Sequence, residues 1–249
     1  MLLAVTVGNT RLRYGLFEGV SLMGHGAVPT GPSDPPLAAG WMPIGRGIEA
    51  AAIASVNPRR SEEAIAALRK AGHRILIAGP DLPIPIENRY RPPSEVGVDR
   101  LLNGVAASRL WPGRGTVVLD FGTALSVSIV SPTGEFLGGP IAPGAPSAAA
   151  GLAARTAKLP EVRLERPCPR FLTASTRDAI EAGIFWSVAG GAARILDGLS
   201  AELPFQFHTV ATGGDASLFA PAIPRVEIVD GELTLKGLAA CFEEMRLRS

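Results

Sequence analysis

Short apolar runs, separated by polar turns that contain glycine, organise the first part of the chain. The run Leu2–Val7 predicts a buried strand, and apolar residues at positions 12, 14 and 16 alternate with polar or small ones, as in a half-buried strand. The dipeptide Glu18-Gly19 then predicts a turn into a third strand, Val20–Val28. The pattern therefore predicts a three-stranded meander whose first turn contains Gly8 and Asn9.

The same order of elements recurs further along the chain. Thr116–Leu119 predicts a strand, Leu125–Val130 its return, and Phe136–Ile141 a third strand. Gly8 and Gly122 hold equivalent places in the two copies, 114 positions apart. A repeated supersecondary unit predicts two similar α/β domains that face each other.

Helical patterns and single strands fill the rest of the chain. Ser61 is predicted to cap a helix that ends at Gly72. The break at Trp111-Pro112-Gly113 predicts the boundary between a domain of residues 1–112 and one of residues 113–249. Further helices are predicted at Asp99–Leu110, Ala148–Arg155, Ser175–Leu203, Ala216–Ala222 and Leu235–Leu247, and single strands at Ala51–Val56, Arg74–Ala78, Thr209–Thr212 and Val226–Val229.

Composition and charge exclude several classes of protein. Hydrophobic residues make up 47% of the 249 positions and charged residues 19%, which excludes wholesale disorder. With 24 Lys and Arg against 23 Asp and Glu, the net charge of +1 gives no overall attraction to nucleic acid or to an anionic membrane. The longest uncharged stretch, Phe136–Ala154, contains three prolines and is a poor membrane span. We therefore expect neither nucleic acid nor a membrane as a partner.

The two cysteines bear on the expected cellular compartment and on whether a disulfide framework or zinc site is expected. Cys168 and Cys241 are the only cysteines, and neither lies near a second ligand type at metal spacing. A disulfide framework or a structural zinc site is thereby excluded. The composition fits a reducing cytoplasm, so a cytoplasmic protein is expected.

Two glycine turns are candidates for phosphate binding. In Gly8-Asn9-Thr10 and Gly122-Thr123-Ala124, a strand ends in successive backbone N–H groups with short polar side chains, an arrangement that can hold phosphate oxygens. One such turn alone is more simply an ordinary hairpin turn. Two copies in matching places favour phosphate binding, because several kinases clamp a nucleotide between two such turns.

Asp99 and the segment Thr212-Gly213-Gly214 are two further candidate functional sites, and each also has a purely structural explanation. Asp99, in Gly97-Val98-Asp99-Arg100, is placed to accept a proton from a substrate hydroxyl, but on this tetrapeptide alone it is more simply a helix N-terminal Asp that complements the helix dipole. Thr212-Gly213-Gly214 follows a predicted strand and could pass close to an adenine or ribose, or simply form a tight βα turn.

Taken together, these motifs resemble the type III pantothenate kinases, of the acetate and sugar kinase, heat-shock ATPase and actin superfamily. The resemblance spans the whole chain, and its motifs follow the family order. The matching segments are Val5–Thr10, Ala54–Val56, Tyr90–Arg100, Asp120–Ala124, Gly138–Gly144, Thr156–Pro160, Thr176 with Ala179, Ile180 and Gly183, then Thr212–Gly214 and Leu233–Leu238.

The resemblance implies an α/β fold of two RNase H-like, actin-like ATPase domains that face a nucleotide cleft. It implies ATP-dependent phosphorylation of pantothenate, the entry step of coenzyme A synthesis. It also implies a homodimer that uses Mg²⁺ and a monovalent cation such as K⁺ or NH₄⁺. The partners of the chain would then be pantothenate, ATP and a second copy of itself.

The resemblance also assigns roles to individual residues. Asp99 would be the base at the pantothenate hydroxyl, and Asp120 would lie at the monovalent cation site. The pantothenate pocket would contain Tyr90, Gly97, Val98, Asp99, Arg100 and Thr176. ATP would be bound by Thr6, Val7, Gly8, Asn9, Thr10, Arg11, Gly122, Thr123, Gly213 and Gly214.

Thr6 departs from the family pattern. The family has an Asp at this position that helps to hold the magnesium–phosphate assembly, and in the second copy of the repeat the equivalent place is taken by Asp120. The family also tends to have Thr in place of Leu125 and Asp in place of Ser128. A hydroxyl brings no negative charge to a hard cation.

Three functions consequently stay open. The first is an active pantothenate kinase, weakened by Thr6. The second is a non-catalytic homologue that binds nucleotide or pantothenate and acts by interaction or regulation. The third is a kinase for another small hydroxyl compound, against which the intact segment from Tyr90 to Arg100 argues.

Overall fold

A computed structural model describes residues 1–31, 34–35, 37, 47–168 and 170–248. The strands are β1 (Leu2–Val7), β2 (Arg11–Glu18), β3 (Ser21–Pro29), β4 (Ala50–Ser55), β5 (Ile75–Ile77), β6 (Glu87–Asn88), β7 (Gly115–Phe121), β8 (Ala124–Val130), β9 (Glu135–Gly138), β10 (Ile141–Pro143), β11 (Phe207–Thr212) and β12 (Ile228–Val229). The helices are α1 (Pro58–Lys70), α2 (Val98–Leu110), α3 (Ala145–Arg155), α4 (Thr176–Glu202), α5 (Ala216–Phe219) and α6 (Leu233–Arg248), with 3₁₀ turns at Pro93–Glu95 and Ala220–Ala222.

The chain divides into two compact units. Unit 1 comprises Met1–Pro112, Gly134–Phe136 and Glu232–Ser249, and unit 2 comprises Gly113–Thr133 and Leu137–Gly231. The predicted domain bounds, residues 1–112 and 113–249, stay a prediction. The predicted bounds place residues 232–249 in the second domain. In the structure these residues belong to unit 1, because α6 packs against α2.

Unit 1 contains the predicted meander at one side of a five-stranded sheet. The strand order is β3-β2-β1-β4-β5, with β1, β2 and β3 antiparallel and β4 and β5 parallel to β1. Successive side chains of β1 lie on opposite faces of the sheet, as the period of two in a strand requires. Leu3 and Val5 pack with Leu68 of α1, whereas Leu2 and Ala4 pack in the cluster formed with α2 and α6.

Helix α1 begins earlier than predicted. Asn57, not Ser61, is the N-cap, and its side-chain oxygen accepts a hydrogen bond from the N–H of Arg60 at 3.2 Å. Pro58 occupies the first helical position, where its fixed φ suits a helix and its missing N–H costs nothing. The chain turns after the helix at Gly72, which has a φ of +81°.

Unit 2 repeats the antiparallel start and then adds parallel strands. Its strands run in the order β12-β11-β7-β8-β9; β7 and β8 are antiparallel, and β11 and β12 lie parallel to β7. The predicted third strand Phe136–Ile141 is two short strands, β9 and β10. Gly138 and Gly139 have φ values of +104° and +135°, and this turn sends β10 back to pair with β8.

Within the described part of the chain, one helix, α4, is long and apolar enough to cross a bilayer. It places Ile184, Phe185 and Val188 in the core of unit 2, against Val117 and Leu119 of β7. A core helix passes the same test of length and composition. The packing of its apolar face in unit 2 accounts for that composition.

The contact between α2 and α6 depends on a glycine. A Cβ on Gly237 would overlap the backbone carbonyl of Leu102, so the two helices approach at a distance that only glycine permits. A hydrogen bond of 2.7 Å from Thr234 Oγ1 to Asn103 Oδ1 also joins them. This packing fixes α2, which has Asp99 in its first turn, in the core of unit 1.

Candidate functional site

The first glycine turn closes the β1–β2 hairpin of unit 1. The N–H of Gly8 donates to the carbonyl of Arg11 at 2.9 Å, and Asn9, Thr10 and Arg11 are exposed. Thr6, one residue before the end of β1, is partly buried and lies opposite Arg13 of β2. The ordinary hairpin geometry is therefore present, and it displays the polar groups of the turn to solvent.

A buried threonine lies behind this turn. The backbone N–H of Thr30 donates to the carbonyl of Thr10 at 3.0 Å, and its hydroxyl donates to the carbonyl of Gly8 at 3.2 Å. Sequence reasoning missed Thr30, because a single threonine at the end of an edge strand carries no local signal for such a role.

The second glycine turn lies at the end of β7 in unit 2. The N–H of Gly122 donates to the carbonyl of Ala124 at 3.0 Å. The carbonyl of Thr123 accepts from the N–H of Gly144 at 3.1 Å and from the hydroxyl of Ser147 at 2.7 Å. Helix α3 begins directly after Gly144, so its positive N-terminal end lies beside the turn. An arrangement of this kind favours an anion.

Two glycines leave no room for a side chain around this second turn. A Cβ on Gly144 would overlap the carbonyl of Gly122. A Cβ on Gly213 would overlap both Oδ1 of Asp120 and the carbonyl of Phe121, and Gly213 has a φ of +95°. The structure therefore brings Asp120, the turn at Gly122 and Gly213 together.

These residues meet because β7 and β11 are parallel neighbours. Asp120 pairs in register with Thr212, so both strands present their carboxyl ends at the same edge of the sheet. The N–H of Asp215 donates to the carbonyl of Phe121 at 3.0 Å and holds the two ends together. Ligands of open α/β sheets bind at such carboxyl edges. Gly214, next to Gly213, is exposed there.

Asp99 lies in the first turn of α2, where Gly97 is the N-cap. Its Oδ1 accepts a hydrogen bond from the N–H of Arg100 at 2.8 Å. Burial raises the pKa of Asp99 above its ordinary value, while the hydrogen bond and the charge of Arg100 oppose that rise. Asp99 is partly buried, and a carboxyl with a raised pKa is a better proton acceptor than one with an ordinary pKa.

Arg100 and Tyr90 accompany Asp99. Arg100 is 5% exposed and its guanidinium carbon lies 5.5 Å from the ring centroid of Phe136. Burial lowers the pKa of Arg100, and interactions with Tyr90 and Asp99 oppose that change. Three residues that the sequence assigns to one pocket thus interact within unit 1. Val98, the first residue of α2, is partly buried and packs against the cluster that contains Leu102 and Val105.

The loop that carries Tyr90 is anchored on both sides. The N–H of Tyr90 donates to Asn88 Oδ1 at 3.0 Å, and the N–H of Arg89 donates to the carbonyl of Phe136 at 2.9 Å. Arg89 also forms ion pairs with Glu87 at 2.8 Å and Glu135 at 2.6 Å. Strand β6 pairs with Glu135 and Phe136, so this short segment supports the loop. The sequence pattern predicts a strand that begins at Phe136, and it does not predict β6 or its pairing with that strand.

Thr176 belongs to unit 2, whereas Asp99, Arg100 and Tyr90 belong to unit 1. It is exposed in the first turn of α4, where Ser175 caps the helix by accepting from the N–H of Asp178 at 3.1 Å. Its assignment to the pantothenate pocket stays a prediction.

Cation binding depends on few protein groups. Among the described residues, no group of three or more His, Cys, Asp or Glu side chains could hold a metal ion. Asp120 supplies one carboxylate next to the carbonyl-lined turn, a donor set of oxygens only. Mg²⁺ commonly takes one or two carboxylates and completes its shell with substrate phosphates and water. The residues present fit a cation held largely by a bound nucleotide.

Comparisons with known proteins agree on one family. A sequence model described as type III pantothenate kinase matches residues 2–197. The type III pantothenate kinase of Moorella thermoacetica is 37% identical, over 98% of this chain and 99% of its own length. That of Rubrobacter xylanophilus is 35% identical, over 97% of each chain.

Solved structures show the fold. A putative Baf family transcriptional activator from Campylobacter jejuni has a TM-score of 0.58 at 17% identity and covers 98% of this chain and 99% of its own. A polyphosphate/ATP-glucomannokinase from Arthrobacter has a TM-score of 0.52 at 13% identity, covering 100% and 99%. A ROK family glucokinase from Streptomyces griseus has a TM-score of 0.51 at 14% identity, covering 96% and 97%. The predicted actin-like α/β kinase fold is confirmed.

Proposed function

This chain belongs to the type III pantothenate kinase family, and on that premise we propose that it transfers the γ-phosphoryl group of ATP to pantothenate. The observation that carries the proposal is the group of Asp99, Arg100 and Tyr90 at the start of α2. It combines a partly buried carboxyl of raised pKa with a cation, which suits an acidic substrate that must lose a hydroxyl proton.

Asp99 is proposed as the base. The pantothenate hydroxyl oxygen forms a bond to the γ-phosphorus, the bond from that phosphorus to the β,γ-bridging oxygen breaks, and ADP leaves with the bond's electrons. The hydroxyl proton passes to a carboxylate oxygen of Asp99. Arg100 and Tyr90 are proposed to orient pantothenate, together with Gly97, Val98 and Thr176. Phosphoryl transfer needs mainly such positioning and charge stabilisation.

The two glycine turns are proposed to hold the nucleotide. Residues 6–11 and the turn at Gly122 and Thr123 would contact the phosphates, with the N-terminal end of α3 adding positive potential beside the second turn. Gly213 and Gly214 would lie on the nucleoside side. Mg²⁺ would neutralise phosphate charge, and Asp120 would hold a monovalent cation such as K⁺ or NH₄⁺.

The function is tested by a coupled assay of ADP release with ATP, Mg²⁺, K⁺ and pantothenate. We expect ADP release that depends on pantothenate, and we expect none with an analogue in which the accepting hydroxyl is replaced by hydrogen. ADP release that is independent of pantothenate, or that appears only with another hydroxyl compound, would contradict the proposal. The same assay without K⁺ measures the dependence on a monovalent cation.

We also propose a cytoplasmic homodimer with α4 in its interface. The outer side of α4 carries Gly183, Ser187 and Gly190, all exposed, and small residues allow close helix packing. Two large apolar side chains are exposed in the preceding segment: Phe171 is 76% exposed and stacks on Trp186 at 4.5 Å, and Leu172 is 92% exposed. An apolar patch of this kind is typical of an interface.

We expect light scattering to give twice the chain mass of 25.9 kDa. A Cβ on Gly190 meets nothing within 4 Å, so Gly190→Glu fits the folded chain and should yield monomers by placing charge in the interface. The matched control is Gly151→Glu on α3, where the space is equally open. An unchanged dimer in Gly190→Glu would place the interface elsewhere.

A further inference from the structure

Thr30 connects the first glycine turn to the interior of unit 1. It is 1% exposed and holds two carbonyls of the turn, those of Gly8 and Thr10. In a trans peptide the carbonyl and the N–H of one plane point in opposite directions. The bond at the Gly8 carbonyl therefore directs the N–H of Asn9 away from Thr30, toward the open side of the turn.

Arg60 in turn holds the segment that follows Thr30. It is 3% exposed, and all five of its guanidinium N–H donors have acceptors. Nε donates to the carbonyl of Thr30 at 3.2 Å. Of the two terminal nitrogens, Nη2 donates to the carbonyls of Gly31 at 2.8 Å and Asp34 at 2.7 Å, and Nη1 donates to the carbonyl of Pro35 at 3.0 Å and to Glu63 Oε2 at 2.8 Å.

A buried guanidinium needs such a partner set, because an uncompensated buried charge is strongly unfavourable. Glu63 supplies the opposite charge, and its pKa is lowered chiefly by its hydrogen bond from Arg60. A lysine at position 60 could supply three donors from a single atom, which cannot serve the separate carbonyl acceptors at positions 30, 31, 34 and 35. The network is thus specific to arginine.

We propose that Arg60 and Thr30 are positioning residues for nucleotide binding: Arg60 fixes Thr30, and Thr30 fixes the direction of the N–H groups in the turn at residues 8–11. This inference rests on the proposed role of that turn in holding phosphate. Thr30 bonds to backbone carbonyls of the turn and Arg60 bonds to the carbonyl of Thr30, so both act through the backbone of the turn. N–H donors that are already oriented in the free protein can bind phosphate without the entropic cost of ordering the turn.

The test compares Thr30→Val, Thr30→Ser and Arg60→Lys in steady-state kinetics. Thr30→Val keeps the shape and the backbone N–H but removes the hydroxyl, and the loss of one hydrogen bond should raise the KM for ATP about 5- to 10-fold. The KM for pantothenate should stay within about twofold, and Thr30→Ser should restore the KM for ATP because it restores the hydroxyl. Arg60→Lys should act in the same direction as Thr30→Val. Thr116→Val, which removes a buried hydroxyl in unit 2, is the matched control.

An unchanged KM for ATP in Thr30→Val, or an equal rise in both KM values, would overturn the inference, since the second result indicates a general loss of structure. Hydrogen exchange at residues 8–11, measured without nucleotide, separates this inference from the proposed function. If the wild type transfers no phosphoryl group, the function has failed. Faster exchange in Thr30→Val then still supports the link between Thr30 and the turn, and unchanged exchange refutes it.

Discussion

Replacing Asp99 with Asn is expected to lower phosphoryl transfer by about 100- to 10,000-fold, the usual contribution of a general base. The amide keeps the size of the carboxyl and an oxygen that can accept from the N–H of Arg100, so the start of α2 should be preserved. It cannot take the hydroxyl proton at any pH near neutrality. Binding of pantothenate and ATP, measured by calorimetry, should therefore largely survive.

The stability of this variant distinguishes lost chemistry from lost structure. Burial raises the pKa of Asp99 above 3.8, so the folded state favours the protonated carboxyl. That contribution to the free energy of unfolding is complete below the pKa of the unfolded chain and is lost as pH rises through the folded pKa. At pH 7 the ionised carboxylate lowers stability, and Asp99→Asn should melt at the wild-type temperature or above it.

Asp81→Asn provides the matched control for the charge change. Asp81 also accepts a backbone N–H, from Ile77 at 3.0 Å, but it is exposed. We expect its variant to keep normal turnover. The wild-type rate should also fall in acid with an apparent pKa above 3.8, since the base must be ionised. Near-normal turnover in Asp99→Asn would refute the assignment of the base.

Replacing Thr6 with Asp should raise turnover by about 10-fold or more, because removing one electrostatic group from a transition state commonly costs more than that. Thr6 and Asp120 occupy the same place, one residue before the end of β1 and of β7. Arg13 pairs with Thr6 across the hairpin, and its charge favours the ionised form of a new carboxylate. The carboxylate would supply the negative charge that a hydroxyl lacks.

Thr6→Asn tests whether negative charge causes the expected rise in turnover. Asn is similar in shape to Asp but neutral, so this variant should show no rise. The coupled ADP assay is run on all three proteins with the same ATP, Mg²⁺, K⁺ and pantothenate. A lower rate in Thr6→Asp would contradict the proposed metal–phosphate role. No ADP release from the wild type or from Thr6→Asp, with nucleotide still bound in calorimetry, would favour the non-catalytic alternative.

Local pattern alone determines the elements that carry the site. The period of two in β1 and β2, the repeat that relates Gly8 to Gly122, and the apolar stripe of α2 behind Asp99 each depend on residues close together in sequence. Such signals predict strands, turns and helices because side-chain periodicity reflects burial. The family resemblance likewise rests on short motifs in order along the chain.

Only the tertiary structure decides which distant residues meet. Gly213 reaches Asp120 because β11 lies beside β7, and α6 joins unit 1 because Gly237 lets it approach α2. Arg60 supports the turn at Gly8 through Thr30, an arrangement that no local pattern indicates. Contacts across long sequence separations depend on strand order and helix packing, which periodicity does not encode. The sequence therefore predicts which groups act, and the packing decides what holds them in place.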